Sequence, residues 1–260
     1  MIQQGSGEAL VLLHGVTSSC KAWKNVIPTL SQSYTVYAFT ALGHRGTAPL
    51  TGKIEIRDVI DDIERQLDQH QLDKPHIVGN SMGGWVAIEL AKRGRAQSVC
   101  ALSPAGCWDN KRNEQRYALS KLKRIAMIAK LTQAIIPFLA HSASVRKLAL
   151  RDIAEHGDRL SVTEFLCMVG DILGCEAKEH LLNTTQRLDY THPLPCPVTL
   201  AWPEKDRLFP IHSTAKLAQQ LLPDARFQVL KGLGHVPMID DAKAVIEIII
   251  DSINNARNAT

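Results

Sequence analysis

Short apolar runs alternate with amphipathic stretches along the first hundred residues. Residues 9–13, rich in Leu and Val, stop at His14-Gly15, as expected of a strand buried on both faces. Residues 22–30 read as a short helix, and Tyr34–Phe39, β-branched and aromatic, as a second strand. A loop follows over 42–52, with three glycines and Pro49. Between 54 and 72, apolar positions 56, 59, 60, 63 and 67 recur at helical spacing. Residues 76–78 predict a third strand, 85–93 a helix stopped by Gly94, and Ser98–Leu102 a fourth strand.

This alternation predicts an α/β fold, a mostly parallel sheet covered by helices on both faces. It pauses from about 109 to 190, where helical patterns occur without a convincing strand. It resumes with a strand at 198–202, a helix at 213–222, a strand at Arg226–Leu230 and a final helix at 240–253. The expected division is a core of 1–108 and 191–260 with a helical cap over 109–190.

Composition narrows the class. The chain has 260 residues, 45% apolar and 22% charged, which excludes a wholly disordered polymer. A net charge of +4 without a recognisable module argues against nucleic acid as a partner. The six cysteines show no C-x-x-C spacing and read as small buried hydrophobes, and H-E-x-x-H is absent, so no metal is expected. The N-terminal Met-Ile-Gln-Gln-Gly-Ser-Gly-Glu lacks the basic lead and apolar core of a signal peptide. No run approaches the roughly 18 apolar residues of a membrane span, so a reducing, cytoplasmic setting is the expectation.

Candidate chemistry lies in the loops after predicted strands. Gly79-Asn80-Ser81-Met82-Gly83 matches G-x-S-x-G, between an apolar strand and a helix. Such a sharp turn lifts the serine oxygen clear of the sheet and aims the next N–H at the start of a helix, where an oxyanion is favoured. A serine needs a base. Of ten histidines, His235 follows the last strand in Gly234-His235-Val236-Pro237; His44 is a rival from an early loop, and His14 reads as structural. The base needs an acid to orient it. Asp206, in the loop after the preceding strand, is preferred, with Glu204 a close rival and Asp109 a remoter one. The oxyanion donors are expected to be the amides of Val16 and Met82.

Taken with Gly43-His44-Arg45-Gly46 and His14-Gly15, these motifs span nearly the whole chain, which resembles the α/β-hydrolase superfamily. The resemblance implies a serine–acid–histidine catalyst of Ser81, Asp206 and His235 working through an acyl-enzyme, with no cofactor and with a helical cap after the fourth strand. Relatives usually open with an antiparallel hairpin; only eight residues precede Ala9, so the first strands should be missing or vestigial. Arg45 stands where many relatives have glycine, with an effect expected only at the pocket edge.

The wording around Ser81 is similar to that of carbon–carbon bond hydrolases of aromatic ring cleavage, but His235 is followed by Val236-Pro237, as in many esterases. The expected activity is therefore hydrolysis of small-molecule carboxylic esters of apolar or aromatic character. Carbon–carbon cleavage, thioester hydrolysis, cofactor-free peroxidation and a non-turnover small-molecule receptor on the same scaffold are the alternatives. Oligomeric state has no sequence signal. Residues 110–159 carry eleven Lys or Arg against four acids, with apolar residues between. That pattern suits either a solvated cap helix packed on the core or a basic face for anionic or lipid-like molecules.

Overall fold

The computed structural model describes residues 1–108, 114–189 and 193–259. Seven strands form one sheet: β1 Ile2–Gln4, β2 Glu8–Leu13, β3 Tyr34–Phe39, β4 His76–Asn80, β5 Ser98–Leu102, β6 Val198–Pro203 and β7 Arg226–Leu230. Their order is β1-β3-β2-β4-β5-β6-β7, and all neighbours are parallel except β1 on β3. β1 is three residues long, Ile2 to Gln4, and lies antiparallel to Ala38 to Val36 of β3 at the sheet edge.

The helices are α1 Ile27–Leu30, α2 Ile56–Gln69, α3 Met82–Lys92, α4 Glu114–Thr132, α5 Ile136–Leu139, α6 Ala143–Leu150, α7 Val162–Gly174, α8 Lys178–Leu181, α9 Thr214–Leu221, α10 Pro237–Asp240 and α11 Ala242–Ala259. Alternating residues of β2 serve the two faces. Val11 and Leu13 join one core with Ile63 and Leu67 of α2 and Ile88 of α3. Leu10 and Leu12 join the other with Trp23, Leu30 and, from α11, Val245 and Ile249. Each such fully buried side chain contributes about 1.5–3 kcal/mol. The five apolar positions predicted for α2 are its five buried residues.

Three elements differ from the sequence reading, each for a local reason. The helix expected at 22–30 is split into a 3-10 turn, Cys20–Trp23, and α1. Pro28 has no N–H to give to a preceding turn, so it sits in the first turn of a new helix. The final helix starts at Ala242 rather than 240, because Asp241 is extended, and the short α10 precedes it. The gap read between strand and helix at 79–84 closes to the single residue Ser81.

Between β5 and β6 the described residues are helical or irregular, with α4 to α8 in this stretch. The expected boundaries at 109 and 190/191 lie among residues outside the description. All six cysteines are free, and burial pushes the Cys100 and Cys107 thiols up to about 12.

Candidate active site

Ser81 has φ 57° and ψ −117°, a backbone conformation that non-glycine residues rarely adopt. The surrounding glycines hold it there. A Cβ on Gly79 would run into the Gly83 carbonyl, and one on Gly83 into the Leu13 carbonyl. The chain can therefore reverse within one residue only if both positions lack a side chain. The Ser81 side chain does not cap α3. The Met82 N–H opens that helix, where the first-turn amides have no intrahelical acceptor.

Asp206 and His235 follow β6 and β7, so both stand at the same sheet edge as Ser81. His235 Nδ1 lies 2.7 Å from Asp206 Oδ2. A carboxylate only accepts, so Nδ1 is the donor and the lone pair remains on Nε2. Asp206 is saturated on both oxygens. Oδ2 also accepts from Ser103 Oγ at 2.6 Å, and Oδ1 accepts from the Leu208 and Phe209 amides at 2.8 and 2.7 Å. Phe209 meets the imidazole edge-on, 4.8 Å between centroids at 89°. The rival acid Glu204 is engaged elsewhere, accepting from the Gly232 amide at 2.8 Å. Asp109 lies outside the described residues.

Ser81, His235, Gly15 and Val16 line one cavity of about 260 Å³. A methyl on Gly15 would stand 3.3 Å from Ser81 Cβ, so the loop after β2 lies against the serine. Two buried histidines shape that loop. His14 accepts from the Ala41 amide at 3.0 Å and donates to its neighbour, the Gly15 carbonyl, at 2.8 Å. His44 accepts from the Thr17 amide at 3.2 Å and donates to the Leu42 carbonyl at 3.1 Å. Their rings meet edge to face, 4.9 Å apart. Burial lowers both pKa values, that of His14 to about 3, so both rings are neutral. The rival base His44 is thus a backbone clamp, and Val16 sits between the two clamped residues, Gly15 and Thr17.

Further residues organise the site without having been singled out from sequence. Asn80 Nδ2 donates to the His235 carbonyl at 2.9 Å and to the Leu102 carbonyl at 3.2 Å. Asp240, buried, accepts from the Gly234, Glu155 and His156 amides at 2.7, 3.1 and 2.7 Å. The Val236 amide donates to the Ile153 carbonyl at 2.8 Å. The loop that carries His235 is therefore fastened to residues 153–156. Only the position of Asn80 inside the serine motif hinted at any of this.

Arg45 reaches further than the pocket edge, which corrects the sequence expectation. It lies along α7, where a Cβ on Gly174 would stand 2.9 Å from its Cγ, and it ends 3.3 Å from Asp171. Asp171 also accepts from Ser19 Oγ at 2.6 Å. The Gly43 carbonyl accepts from the Ala177 amide, and the Leu50 amide donates to Glu176, so the whole 42–52 loop grips the helical insertion. Leu122 and Ile125 of α4 and Met168 and Ile172 of α7 contribute apolar side chains to the lining of the same cavity.

The model of the alpha/beta hydrolase family matches residues 10–248, and the chain belongs to that family. Epoxide hydrolase EphH of Mycobacterium tuberculosis is 34% identical over 200 residues, 74% of this chain and 92% of its own length. Among solved structures, a thermophilic esterase from Thermogutta terrifontis superposes with a TM-score of 0.75 at 19% identity, over 98% of this chain and 92% of that one. A serine hydrolase involved in carbazole degradation, the CarC enzyme, gives 0.74 at 17% identity, over 97% and 93%.

Proposed function

We propose that this α/β-hydrolase is a serine esterase that cleaves carboxylic esters of apolar or aromatic small molecules. Ser81, His235 and Asp206 form its catalytic triad, and the Val16 and Met82 amides its oxyanion hole. The observation that carries this reading is the 2.7 Å Asp206–His235 pair, with His235 and Ser81 on the wall of one apolar cavity. In the same reading, residues 1–108 and 191–260 are the core and 109–190 the cap.

Ser81 Oγ attacks the ester carbonyl carbon while its proton passes to His235 Nε2. The carbonyl oxygen becomes an alkoxide held by the two amides, each donor worth about 10²–10³ in turnover. Collapse breaks the carbon–oxygen bond, and the leaving alcohol takes the proton from Nε2. Water then attacks the acyl-serine, gives its proton to Nε2 and releases the acid, and the proton returns to Ser81. Asp206 stabilises the imidazolium in both halves.

The epoxide hydrolysis named for the M. tuberculosis relative does not fit this elbow. A serine oxygen that opened an epoxide would form an alkyl ether, which an imidazole-activated water does not cleave. An acyl ester, by contrast, is released. Acyl transfer, of which ester hydrolysis is the favoured case, is therefore a reaction a serine at this position can complete, whereas epoxide opening is not.

The test is a fluorophosphonate label together with a panel of p-nitrophenyl esters, an epoxide and a ring-cleavage product. Wild-type protein should label at Ser81 and turn over the esters, and Ser81→Ala should lose about four decades of turnover with its fold intact. Wild-type protein that neither labels nor turns over any of the panel would sink the reading. Turnover confined to the ring-cleavage product would replace the bond cleaved.

A further inference from the structure

The helix α4 has two apolar faces. Ala118, Leu122, Ile125 and Ala129 recur at helical spacing and face inward; Leu122 and Ile125 line the cavity, and Ala118 and Ala129 are buried. Met127, Ile128 and Leu131 are exposed on its other side, and Ile135, Phe138 and, in α6, Leu148 are exposed further along the chain. These are not marginal exposures: Leu131 is 77% exposed and Phe138 79%. Scattered exposed leucines are ordinary on any protein, but a run of large apolar side chains on consecutive helices is not.

Charge decides what covers this face. Between Glu114 and Asp152 there is no carboxylate, while eight lysines and arginines occur. Lys123, Arg124, Lys130 and Lys147 are exposed on the same helices. Arg124 pairs with Asp152 at 2.7 Å and Lys147 lies 3.8 Å from Asp158, so the positive charge of the face exceeds these two pairs but is partly neutralised by them. A second copy docked symmetrically would set this basic face against itself. An anionic lipid surface satisfies both features at once. Its acyl region takes Leu131, Ile135 and Phe138, and its headgroups take the basic rim, whose long side chains reach outward from an apolar base. Among the described residues no helix is long and apolar enough to cross a membrane, so the contact is peripheral.

We infer that the α4–α6 face of the insertion docks on anionic membrane surfaces. Docked in this way, the outer face of α4 meets the lipid while its inner face lines the same cavity as Ser81. One consequence rests on the esterase reading given above: the substrates are esters that partition into lipid. The docking itself does not depend on that reading.

The experiment is vesicle sedimentation of the full chain carrying Ser81→Ala, so that no ester is hydrolysed during binding and the outcome is independent of the nucleophile. Vesicles of phosphatidylcholine alone are compared with vesicles of equal parts phosphatidylcholine and phosphatidylglycerol. Binding is expected to the anionic vesicles in preference, to weaken as salt is added, and to fall by about tenfold or more in the Leu131→Gln/Phe138→Gln variant. In an otherwise wild-type background the same pair should leave hydrolysis of a water-soluble short ester unchanged, which shows that the fold is intact. Equal binding to both vesicle types, no binding, or full binding by the double variant would overturn the inference. So would a dimer that the double variant converts to monomer without any vesicle binding, which would assign the face to self-association.

Discussion

Asn80 Nδ2 donates a 2.9 Å hydrogen bond to the carbonyl of His235, so the residue before the elbow serine holds the loop that carries the imidazole. Both partners are buried. Asn80→Ala leaves the His235 and Leu102 carbonyls without this donor, at a cost of about 1–3 kcal/mol. A lowered urea midpoint is expected, together with a fall in kcat of about tenfold or more at nearly constant KM. Unchanged kcat in a folded variant would show that the bond does not position the ring.

Asp206→Asn should cost about 10³–10⁴ in kcat, because an amide that presents its NH₂ to Nδ1 favours the wrong tautomer. Glu204→Gln should stay within a few-fold of wild type, since Glu204 meets the Gly232 amide rather than the imidazole. Esterase kinetics on the two variants distinguish the acids directly.

Ser103 is fully buried with φ 44°, and it donates to the same Asp206 oxygen that accepts from His235. It is a positioning residue. Ser103→Ala should lower kcat by about tenfold, leave KM close to wild type and leave Ser81 open to fluorophosphonate. A change confined to KM would assign Ser103 to substrate binding instead.

Acid should destabilise the protein through its buried histidines. The unfolded chain protonates His14 near pH 6.5, whereas the folded chain does so only near 3. The unfolded state therefore binds more protons in that window, and stability falls with pH by about 1.4 kcal/mol per unit for such a group. Burial lowers His44 and His76 as well, which adds in the same direction. Burial raises the Glu164 carboxyl, but hydrogen bonds from Lys24 and Ser161 outweigh it and set it at about 2, below its ordinary 4.5. Its contribution is thus lost only below about pH 4.5, so the slope from 6.5 down to 4.5 reports on the histidines. Urea midpoints should show that slope in the wild type and a shallower one in His14→Gln.

Arg45→Ala removes the guanidinium from Asp171 and leaves its buried carboxylate with Ser19. A loss of about 1–2 kcal/mol is expected. Limited proteolysis should cut faster within the helical insertion than within the sheet. Equal cleavage of variant and wild type would show that Arg45 does not hold the insertion.

The strands and the helix pattern of α2 were legible because burial on one or both faces leaves a periodic trace. The elbow was legible as a motif but not as geometry. Gly83 and Gly84 look like loop residues, yet they occupy the first turn of α3 because the Leu13 carbonyl leaves no room for a Cβ at Gly83. The positions of Ser81, Asp206 and His235 just after β4, β6 and β7 were readable, because each strand ends in a loop with a recognisable residue pattern. Ser103, Asp240 and the Arg45–Asp171 pair were not, since each works through a partner distant in sequence and common polar residues carry no mark of such pairing. The double role of α4 was visible only in part: its charge excess could be counted, but which apolar residues face the cavity depends on how the helix is seated.

The attachment of the His235 loop to residues 153–156 sets a rule for building chimaeras. A graft that swaps the whole stretch between β5 and β6 for that of another hydrolase would discard the Ile153 carbonyl that receives the Val236 amide, and the Glu155 and His156 amides that meet Asp240. The exchanged piece would then bring a new cavity lining and a loosened imidazole together. Retaining Ile153–Ala154–Glu155–His156 with the recipient scaffold separates the two effects, so that selectivity can be recast without dismantling the machinery beneath.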